Sequence, residues 1–157
     1  MNLTATAMDT LDLLNEPVYL ALQIDHLRLL VPQAQCTAMA SAETLQPKRD
    51  SNQPGIGLIS RGQQIWPVYA LNNALELTTD PPSTRAQCVL LTTGTERIGL
   101  LCDQAFPIER SELIVGSVPA CMRSNELLFS GLAIYQDQIA FLSTTDILYR
   151  QLQRAEH

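Results

Sequence analysis

The run Gly55 to Leu71, GIGLISRGQQIWPVYAL, sets the tightest limit on what this chain can fold into. Ile56, Leu58 and Ile59 make a short apolar segment that ends at Arg61-Gly62, where glycine supplies the positive φ of a tight turn. Ile65, Trp66, Val68 and Tyr69 then resume with β-branched and aromatic residues, the composition of a strand. The pattern predicts a β-hairpin. Pro67 cannot donate to a sheet ladder, so the second strand is expected at a sheet edge or bulged there.

Similar segments recur along the chain. Met8, Leu11 and Leu14 fit a frayed amphipathic turn or a disordered start. Val18 to Ile24 and Leu27 to Val31 read as strands around a turn at Asp25-His26, and Ala34 to Ala40 fits a strand or a short helix. Ser41 to Pro54 is a polar surface loop. Leu71, Ala74 and Leu75 stand at helical spacing and predict one or two helical turns, before Asp80-Pro81-Pro82-Ser83 closes the first half. Arg85 to Thr93 and Glu96 to Asp103 form a hairpin through Gly94-Thr95, and Gln104 to Ile108 extends or bends its second strand. Glu109 to Glu126 has no clear pattern. Leu127 to Tyr135 and Gln138 to Leu142 make another hairpin. Thr144 or Thr145 caps a C-terminal helix whose apolar face is Ile147, Leu148 and Leu152. Ile56-Gly57-Leu58-Ile59 is echoed by Ile98-Gly99-Leu100-Leu101, which agrees with two similar lobes. So many short strands predict a mainly β protein, of barrels or a sandwich.

At 157 residues, 46 % hydrophobic and 17 % charged, the chain is an ordinary globular domain or two small lobes sharing a core. A net charge of −6 speaks against nucleic acid, which needs clustered Lys and Arg; only Lys48 and Arg49 adjoin. Cys36, Cys88, Cys102 and Cys121 form no CxxC pair, and the two histidines are His26, at a turn, and the terminal His157. That pattern offers no zinc site and no Cys-His catalytic pair. The first residues lack a basic, apolar secretory leader, and no run reaches the roughly 20 apolar residues of a membrane span. A cytoplasmic protein without membrane insertion is expected.

No phosphate-binding glycine loop and no GxSxG elbow occurs. Asp103, Glu109, Glu112, Asp137 and Asp146 are scattered acids, better read as turn and surface residues than as a catalytic pair. The chain reads as a non-enzyme without cofactor or metal.

The order Gly57, Arg61-Gly62, Pro67-Val68, Leu71 resembles the signature of the CheW-like family. Tyr19-Leu20-Ala21-Leu22 is similar to its opening strand, and Ile98 to Asp103 to the glycine-to-aspartate strand of its second lobe. Phe129-Ser130-Gly131-Leu132 and Ile139 to Leu148 resemble its close, so that the likeness spans Pro17 to Leu152. The resemblance implies two SH3-like five-stranded β-barrel lobes with short helices and a C-terminal helix, over residues 17–152, between tails at 1–16 and 153–157. It implies an adaptor that couples the cytoplasmic tip of methyl-accepting chemoreceptors to the regulatory domain of a CheA-type histidine kinase. By the same resemblance Cys36, Met39 and Ile108 would face the receptor in a groove between lobes. Arg61, Gly62 and Asp103 would bind a partner or brace the lobes, and kinase contacts would use exposed barrel ends. The chain departs from the family at Ala70 and Asn72, usually aspartate and arginine, and near Ala38, usually acidic. Lost charge alters partner choice. The departures therefore point to a divergent adaptor of a chemosensory pilus (twitching) system, ChpC- or PilI-like, rather than a flagellar one. Two readings from other classes make different demands. A small-molecule-binding barrel needs an apolar pocket inside one lobe; a hydrolase needs a close carboxylate pair in a cleft.

Overall fold

In the computed structural model the residues described are 15–48, 50, 52, 55–117 and 128–156. Met8, Leu11, Leu14, Arg49 and Cys121 lie outside them. The chain runs through β1 (Val18–Ile24), β2 (Leu27–Pro32), β3 (Cys36–Ser41), β4 (Gly57–Arg61), β5 (Gln64–Tyr69), β6 (Gln87–Thr93) and β7 (Glu96–Cys102). It continues with β8 (Gln104–Glu109), β9 (Ile114–Ser117), β10 (Gly131–Tyr135), β11 (Gln138–Leu142) and a helix α1 (Thr145–Glu156). Short 3-10 turns at Gln33–Gln35, Ala42–Thr44 and Arg110–Glu112 link strands. No helix among the described residues is long and apolar enough to cross a membrane.

The strands form two sheets. Lobe 1 has six, in the order β8-β1-β2-β11-β10-β9, and lobe 2 has five, β3-β6-β7-β5-β4. The lobes are not the two halves of the chain. The N-terminal hairpin β1–β2 sits between β8 and β11, joined to β11 by a parallel pairing of Phe141 and Leu142 with Leu29 and Leu30. Lobe 1 is thus a six-stranded sheet where five strands were expected. The Ile98 to Asp103 segment, expected in a second lobe, forms β7 in the same sheet as the central hairpin β4–β5. Lobe 2 curls until Gln46, beyond β3, bridges Leu58 of β4 through N–H to carbonyl bonds of 2.7 and 2.8 Å.

Three cores follow from side chains that alternate across each strand. Tyr19 and Ala21 of β1 point into lobe 1 with Leu30, Ile108, Ala133, Ala140 and Leu142. Cys88 and Leu90 of β6 point into lobe 2 with Ile59, Trp66, Val68, Ala70 and Leu101. The alternate residues, Leu20, Leu22 and Ile24 of β1, Val89 and Leu91 of β6, and Ile98 and Leu100 of β7, meet between the lobes. Helix α1 covers that third core with Leu148 and Leu152, both at most 1 % exposed. Thr144 caps it, its hydroxyl accepting the Ile147 N–H at 3.2 Å, and the helix runs on to Glu156.

The hairpin at the heart of the sequence forms, with small changes. Arg61 pairs with Gln64, so the turn is Gly62-Gln63, with Gly62 at φ +60. Strand β5 is not an edge strand: it lies between β4 and β7. Its parallel pairing to β7 involves only Val68 and Tyr69, so Pro67 stands short of the ladder where its missing N–H would matter. Nor does Leu71 to Leu77 become helical. The Asn72 side chain accepts the N–H groups of Ala74 (2.8 Å) and Glu76 (3.0 Å), closing a loop in which Leu75 takes φ +59.

The echoed glycines also gain a local reason. Gly57 and Gly99 pair with Val68 from its two sides, one on β4 and one on β7. A Cβ on Gly57 would fall 2.5 Å from the Gln46 carbonyl oxygen, at the bridge that closes lobe 2. Gly57→Ala should therefore cost about 1–3 kcal/mol, the range of core overpacking with backbone displacement. In urea unfolding its loss should exceed that of Gly62→Ala, whose Cβ meets open space and whose cost is that of the left-handed backbone, about 1 kcal/mol.

Candidate interaction surface

Lobe 1 and lobe 2 meet where the chain crosses between them, and one buried cation organises that crossing. Arg85 precedes β6, and its side chain is 1 % exposed. Its Nη1 donates to Asp25 Oδ1 (2.9 Å) in the β1–β2 turn and to Asp103 Oδ1 (2.7 Å) at the β7–β8 crossover. Its Nη2 reaches Asp25 Oδ2 (3.3 Å) and the Leu71 carbonyl (3.2 Å). Asp103 Oδ2 in turn accepts the Asp25 N–H at 2.8 Å, and the Asp103 N–H donates to the Gln23 carbonyl. The planar guanidinium fork suits this convergence of two carboxylates and a carbonyl. Asp103, expected as a partner contact or brace, lies in this cluster, bonded to Arg85 and to the β1–β2 turn. Arg61 is not part of this cluster; it lies exposed at the far end of the β4–β5 hairpin, beside Gly62.

The three residues expected in the receptor groove have different surroundings. Cys36 is half-buried against the interlobe core, and Met39 of the same strand is 47 % exposed. Ile108 of β8 is 1 % exposed inside lobe 1, because the register of β8 on β1 sets it opposite Tyr19 and turns both inward. Beside β8 an open cleft of about 600 Å³ is lined by Val18, Gln33, Pro107, Glu109 and Glu112. Burial pushes the thiols of Cys88 and Cys102 up to about 12 and raises that of Cys36, so all three are neutral small hydrophobes at physiological pH. Among the scattered acids, Asp103 holds Arg85, Glu112 accepts the Glu109 N–H (3.1 Å), and Asp146 pairs with Arg150 (3.1 Å).

Two features escaped sequence reasoning. Arg85 is one; its partners lie far along the chain, and an arginine opening a strand carries no signal of burial. The other is a row of isoleucines across lobe 1, where Ile134 pairs with Ile114 on one side and Ile139 on the other. They are 43, 71 and 62 % exposed, while Ala133 and Ala140 fill the interior behind. Small residues inside and large aliphatic ones outside invert the usual pattern of a hairpin.

Arg85→Met should destabilise by about 2–3 kcal/mol in urea unfolding at neutral pH. The loss stays below that for a fully desolvated pair, because Asp25 and Asp103 keep 38 and 22 % side-chain exposure. The hydrogen bond from Arg85 holds the Asp25 carboxyl below its ordinary value of 3.8. A depressed folded value stabilises above the ordinary range and is lost as pH falls through the folded value. Stability should therefore drop below about pH 4, and Asp25→Asn should flatten that limb.

No protein-family model matches the sequence, and no curated protein matches it either. The fold is similar to that of a scaffolding protein, TtCheW from Thermoanaerobacter tengcongensis, at a TM-score of 0.64 and 12 % identity. The match covers 84 % of this chain and 92 % of that one. With two curled sheets, a core between them and a closing helix, the chain has a CheW-like fold.

Proposed function

We propose that this chain is a non-catalytic adaptor of a bacterial chemosensory pathway, joining methyl-accepting chemoreceptors to a CheA-type histidine kinase. The observation that carries the reading is the likeness to a CheW scaffolding protein over nearly the whole of both chains, together with the motif order around Arg61. The interiors of both lobes are occupied by their own side chains, which favours an adaptor over a barrel that holds a small molecule inside a lobe.

The receptor tip would contact β3 at Met39 and Cys36, with Ile108 holding β8 in place from within lobe 1. The kinase would meet Arg61 on lobe 2 and the isoleucine row on lobe 1. Exposed aliphatic residues in a contiguous row suit a protein interface. The pathway is a pilus-linked one, because the charges usual in the family are replaced here by neutral residues with structural work. Ala70 is 0 % exposed in the lobe 2 core, and Asn72 closes the loop after β5.

Calorimetry at moderate salt against flagellar and pilus-linked CheA regulatory domains tests this. Micromolar binding is expected to the pilus-linked domain, with weaker binding to the flagellar one. Arg61→Glu and Ile134→Lys should each weaken it at least tenfold while leaving the fold intact, since both side chains are exposed. Tight binding to the flagellar domain would overturn the pathway assignment, and absence of binding to both would overturn the kinase-coupling role.

A further inference from the structure

A sheet edge offers unpaired backbone groups to another strand unless something blocks them. The edges of this protein are treated unequally. On β8, Arg110 N–H donates to the Pro17 carbonyl, so by the two-residue period the even positions face β1 and Ala105, Pro107 and Glu109 face outward. All three outward N–H positions are closed. The Ala105 N–H donates to Gln87 Oε1 of lobe 2 (3.1 Å), Pro107 has none, and the Glu109 N–H donates to Glu112. On β4, Leu58 is bridged by Gln46.

Strand β3, the other edge of lobe 2, is different. The Ala42 N–H donates to the Ala86 carbonyl (2.9 Å), so Ala40 and Ala38 turn their backbone to β6, opposite Cys88 and Leu90. The N–H and C=O of Met39 and the N–H of Ser41 therefore point away from the sheet. Among the described residues they have no partner. The strand, CTAMAS, carries no charge, proline or lysine to repel an incoming chain.

Carboxylates lie toward both ends. Gln33, in the turn that leads into β3, lines a cleft with Glu109 and Glu112, and the exposed Glu43 follows the C-terminal end of β3. A second copy laid antiparallel on β3 would bring like charges together at both ends, in a chain already at −6. From the open edge and this charge pattern we infer that β3 is a strand-addition site for an extended peptide segment with an uncharged centre and basic flanks. Backbone bonds to Met39 and Ser41 supply the pairing, and the carboxylates set which sequences are accepted. The site shares Met39 with the receptor contact proposed above, but it rests on the backbone edge of β3 and not on that reading.

A fluorescein-labelled peptide, KKTVTVTKK, titrated into the full chain by anisotropy, tests the inference. Saturable binding is expected, with amide exchange slowed at Met39 and Ser41. A peptide of the same charge with N-methylated central residues should bind at least tenfold weaker, as should EETVTVTEE. Met39→Pro removes the outward donor but keeps the bonds of Ala38 and Ala40 to β6, and should lose the peptide. Equal binding of the N-methylated peptide, or unchanged exchange at Met39 and Ser41, would overturn strand addition. Protection at these amides in the protein alone, growing with its concentration, would identify a second copy as the occupant and overturn the peptide assignment.

Discussion

The strands at the lobe junction bury both faces, and the rest of the architecture follows from that constraint. β1, β2, β5, β6 and β7 each send side chains into a lobe and, from alternate positions, into the core between lobes. A strand buried on two sides must be apolar at nearly every position, which is why VYLALQI and CVLL read as continuous runs. Neither lobe can be withdrawn without exposing the interlobe leucines, each worth about 1.5–3 kcal/mol of burial. The lobes are thus one folding unit. Helix α1 belongs to the same unit, since Leu148 and Leu152 reach the shared core rather than either lobe alone.

Apolar burial is non-directional, so it joins the lobes without dictating their orientation. The directional element is Arg85. Its guanidinium binds the β1–β2 turn of lobe 1, the β7–β8 crossover and the Leu71 carbonyl beyond β5 at once. A small rotation of one lobe on the other would break several of these bonds and leave a buried cation without its carboxylates. A buried ion cluster replaced whole by well-packed apolar residues generally loses little stability, whereas removal of one partner alone is costly. What it supplies is a single register between two curved sheets.

How much of this was legible follows from how local each signal is. The β1–β2, β6–β7 and β10–β11 hairpins were readable because their turns carry residues that tolerate positive φ: Asp25, Gly94, and Gln136-Asp137. Partnership between hairpins was not. The parallel pairs β2–β11 and β5–β7 join segments distant in sequence, and nothing in Leu29 or Val68 marks the partner. Leu71 to Leu77 was misread because leucine spacing fits a helix, whereas the Asn72 side chain takes the N–H groups a helix would use. Among the candidate site residues, Asp103 was visible through the family motif but Arg85 was not. Its aspartates lie 60 and 18 residues away, and only the fold brings them together.

The shared core also decides what kind of partner surface this chain can present. Two lobes locked by one apolar layer and one ion cluster hold the Arg61 turn, the isoleucine row and β3 at fixed relative positions. Fixed positions mean that surfaces on different lobes can be engaged together without ordering cost, the condition under which modest contacts add up to useful avidity. A protein built to change shape would place polar, weakly packed residues at the lobe junction. Here the junction is among the most buried parts of the molecule, with Leu22, Ile24, Leu91 and Ile98 all at 0 % exposure. In the proposed adaptor role, partners would be coupled by which surfaces are occupied, not by movement of one lobe against the other.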